Sequence, residues 1–202
     1  MFRKLVGGAF VAALGFASMA VSANAQASAD DAWTKICNTD PKSKKEHCLI
    51  TQELRAATGQ VLVQAAVREI TGEDRKLLHI AVPPGMLLQQ GLLIQVDGNK
   101  PAKAPYTICF PNACIAEMVI SNDFITGLKR GGKLIVTTLN QQGKARPFEM
   151  TLKGFTKVYD GAAIKPEELQ AKQERLQAEL QARAEAARQK LIEQQRKASQ
   201  GQ

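Results

Sequence analysis

Residues Leu92 to Cys114 read LLIQVDGNKPAKAPYTICFPNAC. Leu92 to Val96 is an apolar run suited to a strand, and Asp97-Gly98 follows it at once. Asp-Gly after such a run is a strong hairpin signal, because both central residues of a type I′ turn need positive φ. The reading predicts a second strand ending at Tyr106 to Cys109, then a five-residue step to Cys114. The stretch is therefore expected to be the middle of a small β-fold clamped by a disulfide, and nothing in it resembles a reactive centre.

The same reading extends outward in both directions. Trp33 to Cys37 is a short first strand whose Trp is expected to plug the core. Cys48 to Arg55 and Gln60 to Ile70 flank Ala56-Ala57-Thr58-Gly59 as a hairpin. Lys76 to Val82 must end at Pro83-Pro84-Gly85, since a proline pair cannot donate to a ladder. Met86 to Leu88 and Leu92 to Val96 flank Gly91, which suggests a bend. Ile115 to Ile120 is a strand after the second cysteine pair. Ser121 is placed to cap a short helix through Phe124, Ile125 and Leu128 that stops at Gly131-Gly132. Lys133 to Asn140 and Pro147 to Lys153 form a last hairpin around Gln141-Gln142-Gly143, and Gly154-Phe155 with Val158-Tyr159 closes the body. Strands about every ten residues, broken by Gly and Pro turns, predict a mainly β protein: an antiparallel β-sandwich or barrel-like domain over residues 32–161.

The chain begins with Arg3 and Lys4, then an apolar run from Leu5 to Val21 and the small-residue site Ala23-Asn24-Ala25. This pattern predicts a secretory signal peptide over residues 1–25, cleaved between Ala25 and Gln26, with residues 26–31 as a short linker. Gly7, Gly8, Gly15 and Ser18 interrupt the run, which falls short of the roughly 20 strongly apolar residues of a spanning helix. Export would carry Cys37, Cys48, Cys109 and Cys114 into an oxidising compartment, where an even count is most simply a disulfide framework. Four cysteines allow three pairings. The local pairs Cys37–Cys48 and Cys109–Cys114 are favoured, because each encloses a turn-rich stretch. A zinc site of the four thiolates, or of some of them with His47, would lack the closely spaced cysteine knuckle such sites use.

After Ile164 the composition changes to Ala, Glu, Gln, Lys and Arg, with no Gly or Pro from Glu167 to Gln200. Pro166 suits the first helical position, and Glu167 and Glu168 complement the dipole behind it. A long helix over 165–202 is expected, with i,i+4 pairs Glu168/Lys172, Glu179/Arg183 and Glu193/Lys197. Its apolar stripe of Leu169, Leu176, Leu180, Ala187, Leu191 and Ala198 is interrupted by Gln and Arg. The sequence leaves open a solvated projecting helix, a coiled coil that makes a homo-oligomer through Leu169, Leu176, Leu180 and Leu191, or a helix that docks a partner.

The formal charge is +8, or +6 once Arg3 and Lys4 leave with the signal peptide. The tail carries eight basic and six acidic residues, so the body holds about +4. An excess this mild and dispersed suits weak contact with anionic surfaces, not nucleic-acid binding, which would cluster Lys and Arg beside stacking aromatics. His47 and His79 are the only histidines. No nucleophile elbow, zincin motif, P-loop or dinucleotide fingerprint occurs. Asp97, Asp123 and Asp160 sit beside turns, where Asp is conformationally at home. His79, inside Leu77-Leu78-His79-Ile80-Ala81-Val82, reads as a strand histidine with a satisfied hydrogen bond. The expectation is a non-enzyme without cofactor or metal.

Several of these pieces together resemble a known family. Trp33 and Cys37, then Cys48 with Gln52, are similar to the opening of the invasion-associated locus B proteins. Val82-Pro83-Pro84-Gly85, Leu87-Leu88, Gly91-Leu92, Gln95-Val96-Asp97, Cys109 and Cys114-Ile115-Ala116 resemble its central signature. Leu128 with Gly131, and Leu152-Lys153-Gly154-Phe155, resemble its end. Ala113 departs from the Gly usual before the second central cysteine, and the long helix lies outside the shared core. The resemblance implies an exported, disulfide-bonded bacterial β-sandwich, associated in some members with host-cell entry, in which the four cysteines are structural. The function expected is an envelope or surface binding protein, periplasmic, outer-membrane-associated or secreted, with a protein partner on the envelope or a host surface. The alternative is a structural or chaperone-like periplasmic protein whose C-terminal helix docks a partner.

Overall fold

The structure, a computed structural model, describes residues 33–200. The predicted signal peptide, its Ala25/Gln26 cleavage site and the linker at 26–31 lie outside the described residues. Among the described residues, ten strands build two antiparallel sheets. One sheet takes β1 (Thr34–Thr39), β2 (Glu46–Arg55), β3 (Val61–Ile70), β4 (Lys76–Val82), β8 (Cys114–Ile120) and β7 (Tyr106–Cys109), in that spatial order. The other takes β10 (Ala145–Thr151), β9 (Lys133–Leu139), β5 (Leu92–Val96) and β6 (Ala102–Ala104). Helices α1 (Asn122–Arg130) and α2 (Phe155–Asp160) close one end, and α3 (Pro166–Gln200) follows. Among the described residues no helix is long and apolar enough to cross a membrane.

Period-two alternation decides which side chains enter the sandwich. On β2, Cys48, Ile50, Gln52 and Leu54 are buried while His47, Leu49, Thr51, Glu53 and Arg55 are partly exposed. Val63, Val67, Leu78, Ile80 and Val82 from one sheet meet Leu92, Ile94, Leu134 and Val136 from the other in a single core. Trp33 plugs its margin as expected. Its ring stands edge-on to Phe155 at 4.8 Å, and its Nε1 donates to Thr151 O at 2.9 Å. Tyr159 adds a tilted contact to Phe155 at 5.5 Å and donates its hydroxyl to Glu69 Oε2 at 2.6 Å. Burial and the Glu69 carboxylate push the Tyr159 pKa up, so the phenol remains a donor.

Three local readings need correction. The strand paired with Leu92–Val96 beyond Asp97-Gly98 is β6 (Ala102–Ala104), not Tyr106–Cys109. Pro105 has no N–H to continue the ladder, so the chain crosses over there and β7 pairs with β8 in the opposite sheet. The Tyr106 hydroxyl lies 2.7 Å from Thr138 Oγ1 on β9 and ties the sheets together across this switch. The turn itself has positive φ only at Asp97 (φ 50), so it is not type I′. Asp97 tolerates the strained region because its carboxylate accepts from Gly132 N and Lys133 N, at 3.0 and 2.8 Å, which fastens the turn to the end of α1. Gly131 must be small here, since a Cβ would come within 2.6 Å of Val96 Cγ1. The closing segment Phe155–Asp160 is a second short helix, where one was expected. Met86 makes one bridge to Asn140, and the bend before Gly91 is a 3₁₀ turn at Leu88–Gln90.

The predicted cap is present: Ser121 Oγ accepts from Phe124 N at 3.2 Å. Two disulfides join Cys37 to Cys48 and Cys109 to Cys114. Each links directly opposed residues of neighbouring strands, β1 with β2 and β7 with β8.

The first half of α3 lies against the outer face of the larger sheet. Ile164 N donates to Lys35 O at 2.8 Å, Lys172 Nζ donates to Thr34 Oγ1 at 2.5 Å, and Leu180 reaches the β2–β3 turn. A Cβ on Gly59 of that turn, at φ +87, would come within 2.5 Å of Leu180 Cδ2. Leu169, Leu176 and Leu180 are half-buried there; from Gln181 onward nearly every residue is exposed, Leu191 to 60%. At 1.5 Å per residue, the last 20 residues extend about 30 Å past the body.

Candidate functional site

The described residues offer little that could do acid–base or nucleophilic chemistry. His79 projects from the outer face of β4, with Ala66 and Glu117 as its cross-strand neighbours. Its Nδ1 lies 3.3 Å from Glu117 Oε2, and its buried Nε2 has no hydrogen-bond partner, so the expected satisfied histidine is satisfied on one side only. Burial lowers its pKa more than Glu117 raises it, and Arg68 lowers it further, so the ring is held neutral. His47 stands on β2 opposite Asn38 and Ile70. Nothing in the strand pairing gives either histidine a hydroxyl or thiol partner.

Cys37, Glu46 and Cys48 do bring three metal-type ligand atoms within 4.8 Å of one another. Both sulfurs belong to one disulfide, however, and metal binding uses thiolates, so the cluster is no metal site as it stands. All four cysteines stand in the two disulfides. Gln52, which the family resemblance singled out, is 4% exposed in the core and its Oε1 has no hydrogen-bond partner. Its place is structural.

Two surfaces remain as candidates for binding. The first is the β7–β8 end of the larger sheet. Cys109–Cys114 closes a hairpin tightened by Phe110 N donating to Ala113 O at 2.7 Å. Ile108 and Phe110 are large apolar residues there, each about half exposed, and Val119 is exposed further along β8, opposite Leu77. The second is the groove left between α3 and the outer face of β1, β2 and β3, about 430 Å³. Its apolar lining comes from Ile36, Ala56, Leu169, Leu176 and Leu180. Sequence periodicity gave the leucine stripe of the tail, but it had no means of showing that three of its members face the same chain's sheet.

A two-sheet antiparallel sandwich with one disulfide in its first hairpin and one at its sheet-switching end defines a class of small, covalently clipped β-proteins. The family model described as invasion associated locus B (IalB) protein matches residues 33–163, and the chain belongs to that family. The crystal structure of invasion associated protein B from Bartonella henselae has the same fold, with a TM-score of 0.56 at 20% identity. That match covers 63% of this chain and 88% of the Bartonella chain. No curated protein matches the chain by sequence. The family match stops at residue 163, three residues before α3 begins.

Proposed function

We propose that this chain is an exported binding protein of the bacterial envelope or surface, acting in host-cell interaction through the β7–β8 end of its sandwich. The single observation that supports this most is the exposed apolar pair Ile108 and Phe110, carried on a hairpin that its own disulfide closes. Exposed apolar side chains on a pre-ordered element are suited to a protein partner, because little conformational entropy is lost on docking. Family membership supports the invasion-associated context, and the predicted signal peptide supports export. The test is cross-linking of the tagged full-length protein in cells, after fractionation, with Ile108→Ser and Phe110→Ser beside wild type. Loss of the cross-linked partner in both variants is expected, and unchanged capture in both would overturn the reading.

A second reading rests on a different observation. Beyond Leu180, α3 leaves the body with Leu191 exposed, as a structural or chaperone-like protein would need if its helix docked a partner or a second copy. Partner capture, or self-association in sedimentation, that vanishes when residues 181–202 are removed would favour it over the first.

A further inference from the structure

We propose that residues 184–200 of α3 dock on the outer face of β4, β8 and β7 of a second copy of this chain, and that the reciprocal contact closes a two-fold dimer. This rests on the second reading above and names the surface that the projecting helix takes.

The first argument is the stripe on the helix. Leu169, Leu180 and Leu191 follow one another at intervals of eleven residues, and so do Leu176, Ala187 and Ala198. Eleven residues are close to three turns, so all six lie along one side of an unbroken 35-residue helix. The first half already lays that side on a sheet: Leu169, Leu176 and Leu180 are half-buried over β1, β2 and β3, with Leu180 at the β2–β3 turn. The side that carries Ala187, Leu191 and Ala198 therefore faces the same way beyond the end of the body, with Leu191 60% exposed. An eleven-residue repeat does not wind the left-handed seam of a heptad coil, and one leucine between two alanines is too little apolar surface for one. Small residues on either side of a leucine do let a helix lie close on a sheet.

The second argument is the other half of the sheet. In the order β1-β2-β3-β4-β8-β7, α3 lies over the first three strands and leaves the last three uncovered by it. Register puts Ala81, His79 and Leu77 of β4 beside Ile115, Glu117 and Val119 of β8 on that outer face. Ala81 and Ile115 are half-buried, and Val119 is 57% exposed. Val119 and Leu191 are the two most exposed large apolar side chains among the described residues, one on the sheet and one on the helix. Glu117 is the one carboxylate among those six residues, and Lys190, next to Leu191 on the flank of the stripe, brings a cation to it.

The third argument is reach and symmetry. Helix α3 leaves the body at the end that carries the β2–β3 turn and the Cys109–Cys114 hairpin, and as a straight rod it does not turn back onto its own β4. A second copy set end to end about a two-fold axis along the sheet normal exchanges the two halves of the sheet. The rod that lies over β1, β2 and β3 of one copy then runs on over β4, β8 and β7 of the other with its apolar side down. The 20 residues past Leu180 span about 30 Å, enough to cross the roughly 24 Å of the seven-residue strands β4 and β8. Each copy gives one helix and receives one, so the contact closes at two chains.

The test is sedimentation of the full disulfide-bonded chain over a range of concentrations, joined to photo-cross-linking from a benzophenone amino acid in place of Leu191, with isotopically light and heavy copies mixed. A dimer is expected, with light-to-heavy cross-links from position 191 to β4 or β8. Leu191→Asp and Val119→Asp should each weaken the dimer about tenfold or more. Lys190→Glu should weaken it up to about fivefold, and adding Glu117→Lys in the same chain should restore most of that loss. An unchanged thermal transition of the body in each variant shows that the fold survives. A monomer at every concentration, or a dimer indifferent to Leu191→Asp, would overturn this proposal and the second reading together. A dimer lost in Leu191→Asp but untouched by Val119→Asp, with position 191 cross-linked to the other copy's helix, would overturn this proposal and leave that reading standing.

Discussion

The sandwich and α3 are both regular structure in one chain, yet different forces hold them. In the body, the central strands turn apolar rows inward, and stability comes from contacts between residues far apart in sequence. In α3 the hydrogen bonds are local, no side chain is fully buried, and formation rests on propensity, the Glu-first charge order and i,i+4 pairs such as Glu179/Arg183 and Glu193/Lys197. A change in the body should therefore act on the whole fold at once, whereas a change in α3 should stay where it is made. The family match separates them at the same place: it covers the cooperative part and ends before the local one.

The hardest strain on this contrast is Phe155→Ala. Phe155 is fully buried between Trp33 and Tyr159 and begins α2, so its removal opens a cavity that neither sheet can collapse into. A cost of about 3–5 kcal/mol is expected. In urea unfolding, the near-ultraviolet signal of Trp33 should be lost at much lower denaturant, with far-ultraviolet helicity from α3 falling less steeply. A loss under 1 kcal/mol would mean that the core is less cooperative than its packing implies.

The disulfides sharpen the contrast next, because both sit in the body. On the loop-entropy account, closing the 11-residue separation of Cys37–Cys48 stabilises by about 3 kcal/mol and the 5-residue separation of Cys109–Cys114 by about 2. Cys37→Ala/Cys48→Ala should then lower the thermal midpoint more than Cys109→Ala/Cys114→Ala does, with α3 helicity unaffected by either. The reverse order would show that strain or residual unfolded structure, not loop length, sets their worth.

How much of this was legible follows the same division. The turns were readable because their residues act locally: Pro83-Pro84-Gly85 ended β4, Ser121 capped α1, and Gln141-Gln142-Gly143 made the β9–β10 connection. The cysteine pairs were readable because short separations around turns leave few geometries. The switch at Pro105 was not, since Ala102 to Cys109 resembles a single strand, and only the pairing of Tyr106–Cys109 with β8 assigns its second half to the other sheet. Helix α2 was missed for a similar reason: six residues give too little periodicity, and Phe155 is held by packing that the sequence does not display. The tail helix was plain from composition. Its groove was hidden, because a leucine stripe identifies a face without naming what it faces.

A milder probe is Leu176→Ser, or Leu180→Ser at the β2–β3 turn. Half-burial of one leucine is worth about 1 kcal/mol, so the thermal midpoint of the body should barely move. Protease cleavage between residues 166 and 183 should speed up severalfold, because docking of α3 on the sheet is what protects them. If either serine destabilised the sandwich by several kcal/mol, α3 would belong to the cooperative unit and the contrast would fail.

The smallest effect concerns His79, whose pKa is lowered in the folded protein. Burial holds its folded value below that of the unfolded chain, Glu117 opposes this, and Arg68 adds to it. Between the two values the unfolded state binds more protons, so the stabilising contribution is intact above the unfolded pKa and is lost as pH falls toward the folded one. His79→Gln should therefore flatten the dependence of unfolding free energy on pH between about 7 and 5, and the gap between wild type and variant should narrow or change sign on acidification. Glu117→Gln should act in the opposite direction: removing the only attraction for the imidazolium lowers the folded pKa further and makes the acid-side loss steeper. A wild-type curve that rises on acidification, or one that His79→Gln leaves untouched, would show that Glu117 outweighs burial and that this face of the sheet is wetter than the unpartnered Nε2 implies.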